Sequence, residues 1–407
     1  MMTCSAQLPV SHHSMPNVAI LFLAQMLTGA GLTAVVLFGG LLSAELAPTA
    51  SLATLPVSMA VVGMALSTVP AALLMRITGR RPGLIAGAII GVGGALLCAY
   101  AIAQRSFVLF CGGSLLFGTA TAFTQQYRFV AAESVLRERA SRAISFVLLG
   151  SLGAALIGPQ IAMAARSWIA HREYAGSFLS VGMLYALGAI VLCWLRPTGS
   201  AATPTVAAAP TVGKLIREPM LRRAMLAGGV AFAVMSFVMT AAPVSMHSVH
   251  HHSASAVAWT IQSHILAMYV PALFSGRLAA RYGERAMMIA GSMLLGASVI
   301  VNVAGHQVLH YWVGLVLLGM GWNLLFVAGT SLLATHYTGA ERHRAQAIND
   351  FVVFASQACV SLLAGLAVQH LGWVLLNLSA LPLLALVVFM ARRRVEPPGR
   401  LIALTER

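Results

Sequence analysis

Apolar residues in this chain neither alternate with polar ones nor keep to a narrow helical stripe. They fill runs of about twenty positions, the length an α-helix needs to cross the hydrocarbon of a bilayer. Twelve such runs can be read, near 18–43, 51–75, 82–103, 106–130, 143–163, 174–194, 224–246, 256–279, 286–305, 309–333, 346–369 and 373–391. A membrane β-barrel would show short alternating segments instead, and the chain has none of these. The pattern predicts an all-α membrane protein with twelve transmembrane helices.

Composition agrees. Only 9% of the 407 residues are charged and 59% are hydrophobic, whereas soluble domains carry roughly a quarter charged residues. The net charge of +15 would suit a nucleic-acid partner, but its distribution argues against one. Arg76, Arg80 and Arg81 follow the second run, Arg137, Arg139 and Arg142 the fourth, and Lys214, Arg217, Arg222 and Arg223 the sixth. Arg277, Arg281 and Arg285 follow the eighth, Arg342 and Arg344 the tenth, and Arg392, Arg393 and Arg394 the twelfth. The alternate loops hold Arg105, Arg166 and Arg172. This is the positive-inside bias, which predicts both termini in the cytoplasm. The lipid bilayer is therefore the expected partner, and nucleic acid is not. The stretch before Asn17 has neither a basic region nor a small-residue cleavage site, so no removed signal peptide is expected.

The stretch PTGSAATPTVAAAPTVG at 197–213 is rich in Pro, Thr and Ala, and reads as a flexible cytoplasmic linker. It divides the chain into a six-helix half at 1–196, a linker over 197–221 and a second six-helix half at 222–407. The halves echo one another. Gly79-Arg80-Arg81 corresponds to Gly283-Glu284-Arg285, and Glu138-Arg139 to Glu341-Arg342, at offsets of 204 and 203 residues. Nearly equal offsets indicate duplication.

The loop Gly276-Arg277-Leu278-Ala279-Ala280-Arg281-Tyr282-Gly283-Glu284-Arg285 resembles the signature G-x-x-x-D-R-x-G-R-R of the major facilitator superfamily, with Ala280 at the acidic position. That resemblance implies two six-helix halves that rock about a central cavity. No G-x-x-x-x-G-K-[ST] sequence is present, and Lys214 is the chain's one lysine. The ten acidic residues lie mostly in loops, so paired-carboxylate and nucleophile chemistry have little to work with. A transporter is expected, without enzymatic activity or cofactor.

Candidate chemistry sits in consecutive runs of the second half. Met235 and Met239 are spaced i, i+4 in the seventh run, as are His264 and Met268 in the eighth. Each pair projects from one face of a helix. If the two helices are neighbours, three thioethers and an imidazole form a soft, nearly neutral site suited to Cu(I). The matching first-half positions, near Leu32, Val36, Val61 and Ala65, carry no ligands. The bland alternative is packing, since with 20 methionines about one Met-x-x-x-Met pair arises by chance. A histidine within a span weakens that alternative, because ionisable groups are costly there.

These paired motifs, together with the stretch Arg344-Ala345-Gln346-Ala347-Ile348-Asn349-Asp350-Phe351, resemble those of CcoA-like copper importers, a bacterial subfamily of the superfamily. The resemblance implies copper uptake across the bacterial cytoplasmic membrane, with copper as transported substrate, feeding haem–copper oxidase assembly through a cytoplasmic copper acceptor. The loop residues Met246, His247, His250, His251 and His252 are candidates for capturing the metal at the entrance. Arg128, Asp350 and Arg281 are candidates for gating or coupling. Trp259, Gln262, Trp322 and Asn323 keep a different reading open: import of riboflavin or another small organic solute, or export of a drug-like compound. A non-transporting metal sensor would need a soluble output domain.

Overall fold

In hydrocarbon every backbone N–H and C=O must find its partner within the segment, so long apolar runs fold as helices. The computed structural model describes residues 14–135, 140–196, 212–337 and 339–393; Arg137, Arg139 and Arg394 lie outside these. Eleven described helices are long and apolar enough to cross a membrane.

The first half contains α1 (Ser14–Thr28), α2 (Ala30–Leu46), α3 (Leu55–Thr78), α4 (Arg80–Ala103), α5 (Phe107–Thr124), α6 (Tyr127–Glu133), α7 (Ala140–Ala164) and α8 (Ala175–Leu192). The second contains α10 (Pro219–Val244), α11 (Ala254–Tyr269), α12 (Ala272–Ala304), α13 (Val308–His336), α14 (Gly339–His370), α15 (Gly372–Leu378) and α16 (Leu381–Arg392). Between them, α9 (Val212–Arg217) falls within the 197–221 linker and buries Leu215; residues 197–211 of the stretch read as flexible lie outside the described residues.

Several expected spans are broken. The first is split at Gly29 into α1 and α2, and the fourth at Gln125–Gln126 into α5 and α6. The eighth is split at Val270–Pro271, because proline lacks the N–H that would continue the ladder. There Asn323 Nδ2 donates to the Met268 carbonyl at 2.8 Å and satisfies an acceptor freed by the break. The eighth span resumes at the start of α12 and ends at Gly283, where the chain reverses into the ninth. Gly283 has φ 78° and ψ 162°, and Gly79 has φ 95° and ψ 161°. Equivalent glycines, 204 residues apart, hold the same positive-φ turn that a side chain resists.

Helices within each half pack closely through small residues, as apolar solvent requires. A Cβ on Gly118 would lie 1.8 Å from the Ala60 carbonyl oxygen, so α5 and α3 touch backbone to backbone. Phe38, Phe110, Phe117, Phe178 and Tyr185 form a continuous aromatic core in the first half.

Contact between the halves gathers at the end away from the basic loops. There α2, the Ala50–Leu52 turn, α3 and α7 meet α10, α11 and α14. Ser58 Oγ donates to the Ser361 carbonyl at 2.6 Å. Gln262 Nε2 donates to the Ala155 and Leu156 carbonyls at 3.1 Å each, and its Oε1 accepts from Gln160 Nε2 at 3.3 Å. The molecule is closed at this far end and holds a cleft toward the basic end.

Candidate functional site

The cleft toward the basic end is lined from both halves. Arg128 enters from α6, and Phe326, Thr330 and Leu333 from α13. Gln346, Asn349 and Asp350 enter from α14. In this conformation the space it encloses is about 60 Å³, below the roughly 300 Å³ of a typical small-molecule site, so the walls must part to admit a solute. Arg128 lies over the Phe129 ring at 4.8 Å, and its Nε is buried without a hydrogen-bond partner. Asn349 Nδ2 donates to Asp350 Oδ1 at 3.3 Å, while Asn349 Oδ1 is buried and unpartnered. Arg128 and Asp350, both named from sequence as candidates for gating or coupling, thus face one cleft from opposite halves.

Beside this polar wall stands an aromatic one. Trp322 and Phe326, one helical turn apart on α13, stack at 5.2 Å with 13° between planes. Phe232 from α10 meets Trp322 edge-on at 5.1 Å and Phe326 at 5.3 Å. Phe354 from α14 closes on Phe232 at 5.9 Å. Phe326 belongs to both walls. Sequence reading named Trp322 but missed Phe232, Phe326 and Phe354, since phenylalanine in an apolar run carries no distinguishing signal. Asn349 was legible as a polar interruption at the start of its run.

A joint site for the methionine and histidine pairs required α10 and α11 to be neighbours; α11 packs chiefly along α13 and α7 and meets α10 only sparingly. His264 is fully buried on the face turned to α13, where its Nδ1 bonds the Leu315 carbonyl at 2.7 Å. Gly319 lets α13 approach that face, since a Cβ there would lie 2.7 Å from the His264 carbonyl oxygen. Met268 is buried one turn on. Met235 is buried in α10 and Met239 is half-buried; α10 packs along α13 and α14.

The proposed capture loop is an ordered turn. Met246 is fully buried in a π-helical turn, Ser245–Val249. His250 Nδ1 bonds the Ser245 carbonyl at 2.9 Å and the Tyr311 hydroxyl at 3.0 Å. His247 Nδ1 bonds the His252 carbonyl at 2.9 Å, and His252 Nε2 bonds the His306 carbonyl at 2.7 Å. The His250 and His306 rings stack at 4.3 Å. Burial, then the neighbouring His250 and His310, hold the His306 imidazole below its ordinary pKa. His251 is exposed. Among the described residues, no group of three or more His, Cys, Asp or Glu is placed to hold a metal ion.

Arg281 is exposed and lies over the Tyr282 ring at 5.3 Å, away from the cleft lining. The basic-end ion pair is instead Arg80 with Glu133, whose Oε2 accepts from Arg80 Nε at 3.0 Å. Its counterpart in the second half has the opposite sign at the glycine turn: Glu284 Oε1 accepts from Ser331 Oγ at 3.2 Å. Trp259 is exposed, and Gln262 belongs to the far-end closure.

Two six-helix halves, closed together at one end and parted by a cleft at the other, define a multi-pass membrane transporter. The chain belongs to the Major Facilitator Superfamily, whose family model matches residues 21–244 and again 224–406. It is 38% identical to riboflavin transporter RfnT of Brucella anthropi, over 94% of this chain and 96% of that one. It is 31% identical to the uncharacterized transporter YdeG of Bacillus subtilis, over 88% of this chain and 87% of that one. The fold is similar to that of the human organic anion transporter MFSD10, with a TM-score of 0.70 at 14% identity, covering 94% of this chain and all of that one.

Proposed function

We propose that this protein carries a planar heteroaromatic solute of the riboflavin class into the cytoplasm by alternating access. The observation that carries this reading is the adjoining pair of walls, with Trp322 and Phe326 stacked beside Arg128, Asn349 and Asp350. Aromatic faces receive a flat ring system, and aromatic pairs contribute about 0.5–1.5 kcal/mol beyond simple burial. The polar wall receives its hydrogen-bonding edge. The similarity to a riboflavin transporter over nearly the whole chain supports the same class of solute. The positive-inside bias puts the cleft, in this conformation, on the cytoplasmic side.

Copper transport through Met235, Met239, His264 and Met268 is the second reading, favoured by one detail. With Nδ1 bound to a carbonyl, His264 presents an unprotonated Nε2, which has no protein partner. That tautomer suits a metal ligand. The spare contact between α10 and α11 and the aromatic cleft weigh toward the organic solute.

The test is uptake of radiolabelled riboflavin and radioactive copper, side by side, in cells expressing wild type, Trp322→Ala, Met239→Ala and His264→Ala. Riboflavin accumulation that falls at least tenfold in Trp322→Ala supports the proposal. Copper accumulation lost in both Met239→Ala and His264→Ala, with no riboflavin uptake by wild type, replaces it with the copper reading.

A further inference from the structure

We infer that the polar wall of the cleft reads one particular edge of the solute: a ring imide, in which an N–H is flanked by carbonyl oxygens. The inference rests on the organic-solute reading and goes further by assigning specificity to Arg128, Asn349 and Asp350.

The argument is a matching of donors and acceptors. Arg128 brings guanidinium donors and no acceptor, and its Nε has no protein partner. Asp350, as a carboxylate, brings acceptors only. One of its oxygens accepts from Asn349, and among the described residues its Oδ2 receives no hydrogen bond. Asn349 Oδ1 is a further acceptor left unpaired in a residue 4% exposed. Buried polar groups without partners are costly, so a ligand that pairs them is strongly selected. A solute with only acceptors would meet Arg128 but leave Asp350 and Asn349 unpaired. One with only donors would do the reverse and face the guanidinium. An imide edge offers carbonyl oxygens to Arg128 and its N–H to Asp350 or Asn349.

Phe326 lines the polar cleft and stacks on Trp322, so a flat ring laid against Phe326 reaches the polar wall beside it. Arg128 comes from the first half while Asn349 and Asp350 come from the second. An imide bound between them bridges the halves and biases their closure at the basic end. Recognition and commitment to the transport cycle are then the same contact.

The experiment uses the full chain in proteoliposomes, with riboflavin and a riboflavin methylated at the imide nitrogen as probes. Flavin binding is read by fluorescence quenching. Sites built to hydrogen-bond a substrate N–H reject analogues that lack it by large factors, so wild type should bind riboflavin at least about tenfold more tightly than the methylated analogue. Asp350→Asn and Asn349→Ala should weaken riboflavin and narrow that ratio toward one. Arg128→Gln should weaken both probes alike. Thermal unfolding of each variant checks its fold, and the Asn349→Ala arm stands if removal of the buried Arg128 charge prevents folding. Equal binding of the two probes by wild type overturns the inference while leaving the organic-solute reading intact. Wild type that binds neither probe overturns both.

Discussion

The far-end closure depends on Gly365, and Gly365→Ala should force it apart. A Cβ at this position in α14 would lie 2.4 Å from the Ser51 carbonyl oxygen and 2.4 Å from Thr54 Oγ1, both in the first half. Carbon and oxygen settle at about 3.3 Å or more, so the halves must part by about 0.9 Å at this point. One turn away, the 2.6 Å bond from Ser58 to the Ser361 carbonyl would stretch beyond useful range. Overpacking costs about 1–3 kcal/mol, and the lost hydrogen bond adds about 1 kcal/mol. The gain from alanine in a helix interior is about 1 kcal/mol, but it is the same in every conformation and cancels. A penalty of about 2–4 kcal/mol falls on the closed far end alone, shifting the equilibrium about 30- to 1000-fold toward the opposite conformation. The assay is a distance distribution between spin labels at Glu45 and His370, exposed far-end positions in opposite halves. The long-distance population should grow in Gly365→Ala and grow further in Gly365→Val. An unchanged distribution in both variants refutes the reasoning, because it means the contact can be relieved without parting the halves.

Gln262→Leu removes the bonds to the Ala155 and Leu156 carbonyls across the same interface. It should shift the same label distances outward, by less than Gly365→Val does. Arg80→Ala breaks the ion pair with Glu133, whose side chains are 30% and 26% exposed. Partly exposed pairs contribute less than about 1 kcal/mol, so the thermal midpoint should move by only a few degrees at most; a large drop would show that the pair is coupled to packing. His306 is held below its ordinary pKa by burial, His250 and His310. The unfolded chain therefore binds this proton more readily, and the cluster's stability is complete above about pH 6.5 and lost as pH falls through the depressed value. Protection from hydrogen exchange across 245–252, measured against the intrinsic exchange rate at each pH, should fall with acidification in wild type. In His306→Gln the acid dependence should flatten, and an identical profile would rule out this histidine as its source.

Legibility from the sequence divides along physical lines. Hydropathy is a local property, so the apolar runs, the duplication near 204 residues and the basic alternate loops could all be read in one dimension. The glycine turns at 79 and 283 were visible as repeat landmarks, and the structure shows why glycine stands at each. Breaks within spans were harder. Pro271 is an explicit stop, whereas the division at Gln125–Gln126 follows no comparable local rule.

Adjacency is what the chain alone left open. Crossing a bilayer orders helices along its normal but says nothing of which faces meet, because lipid-facing and helix-facing surfaces are both apolar. Correct i, i+4 spacing therefore put Met235 with Met239, and His264 with Met268, on shared faces, but could not show that α11 turns its histidine to α13. For the same reason, Arg128 and Asp350 could be named as gating or coupling candidates, but not as neighbours. Their common cleft exists only once α6, α13 and α14 are packed; the ring stack of Trp322 and Phe326 lies within α13, and packing sets it beside that cleft. Amino-acid order by itself determined a duplicated helical membrane transporter; tertiary packing decided which side chains share its cleft.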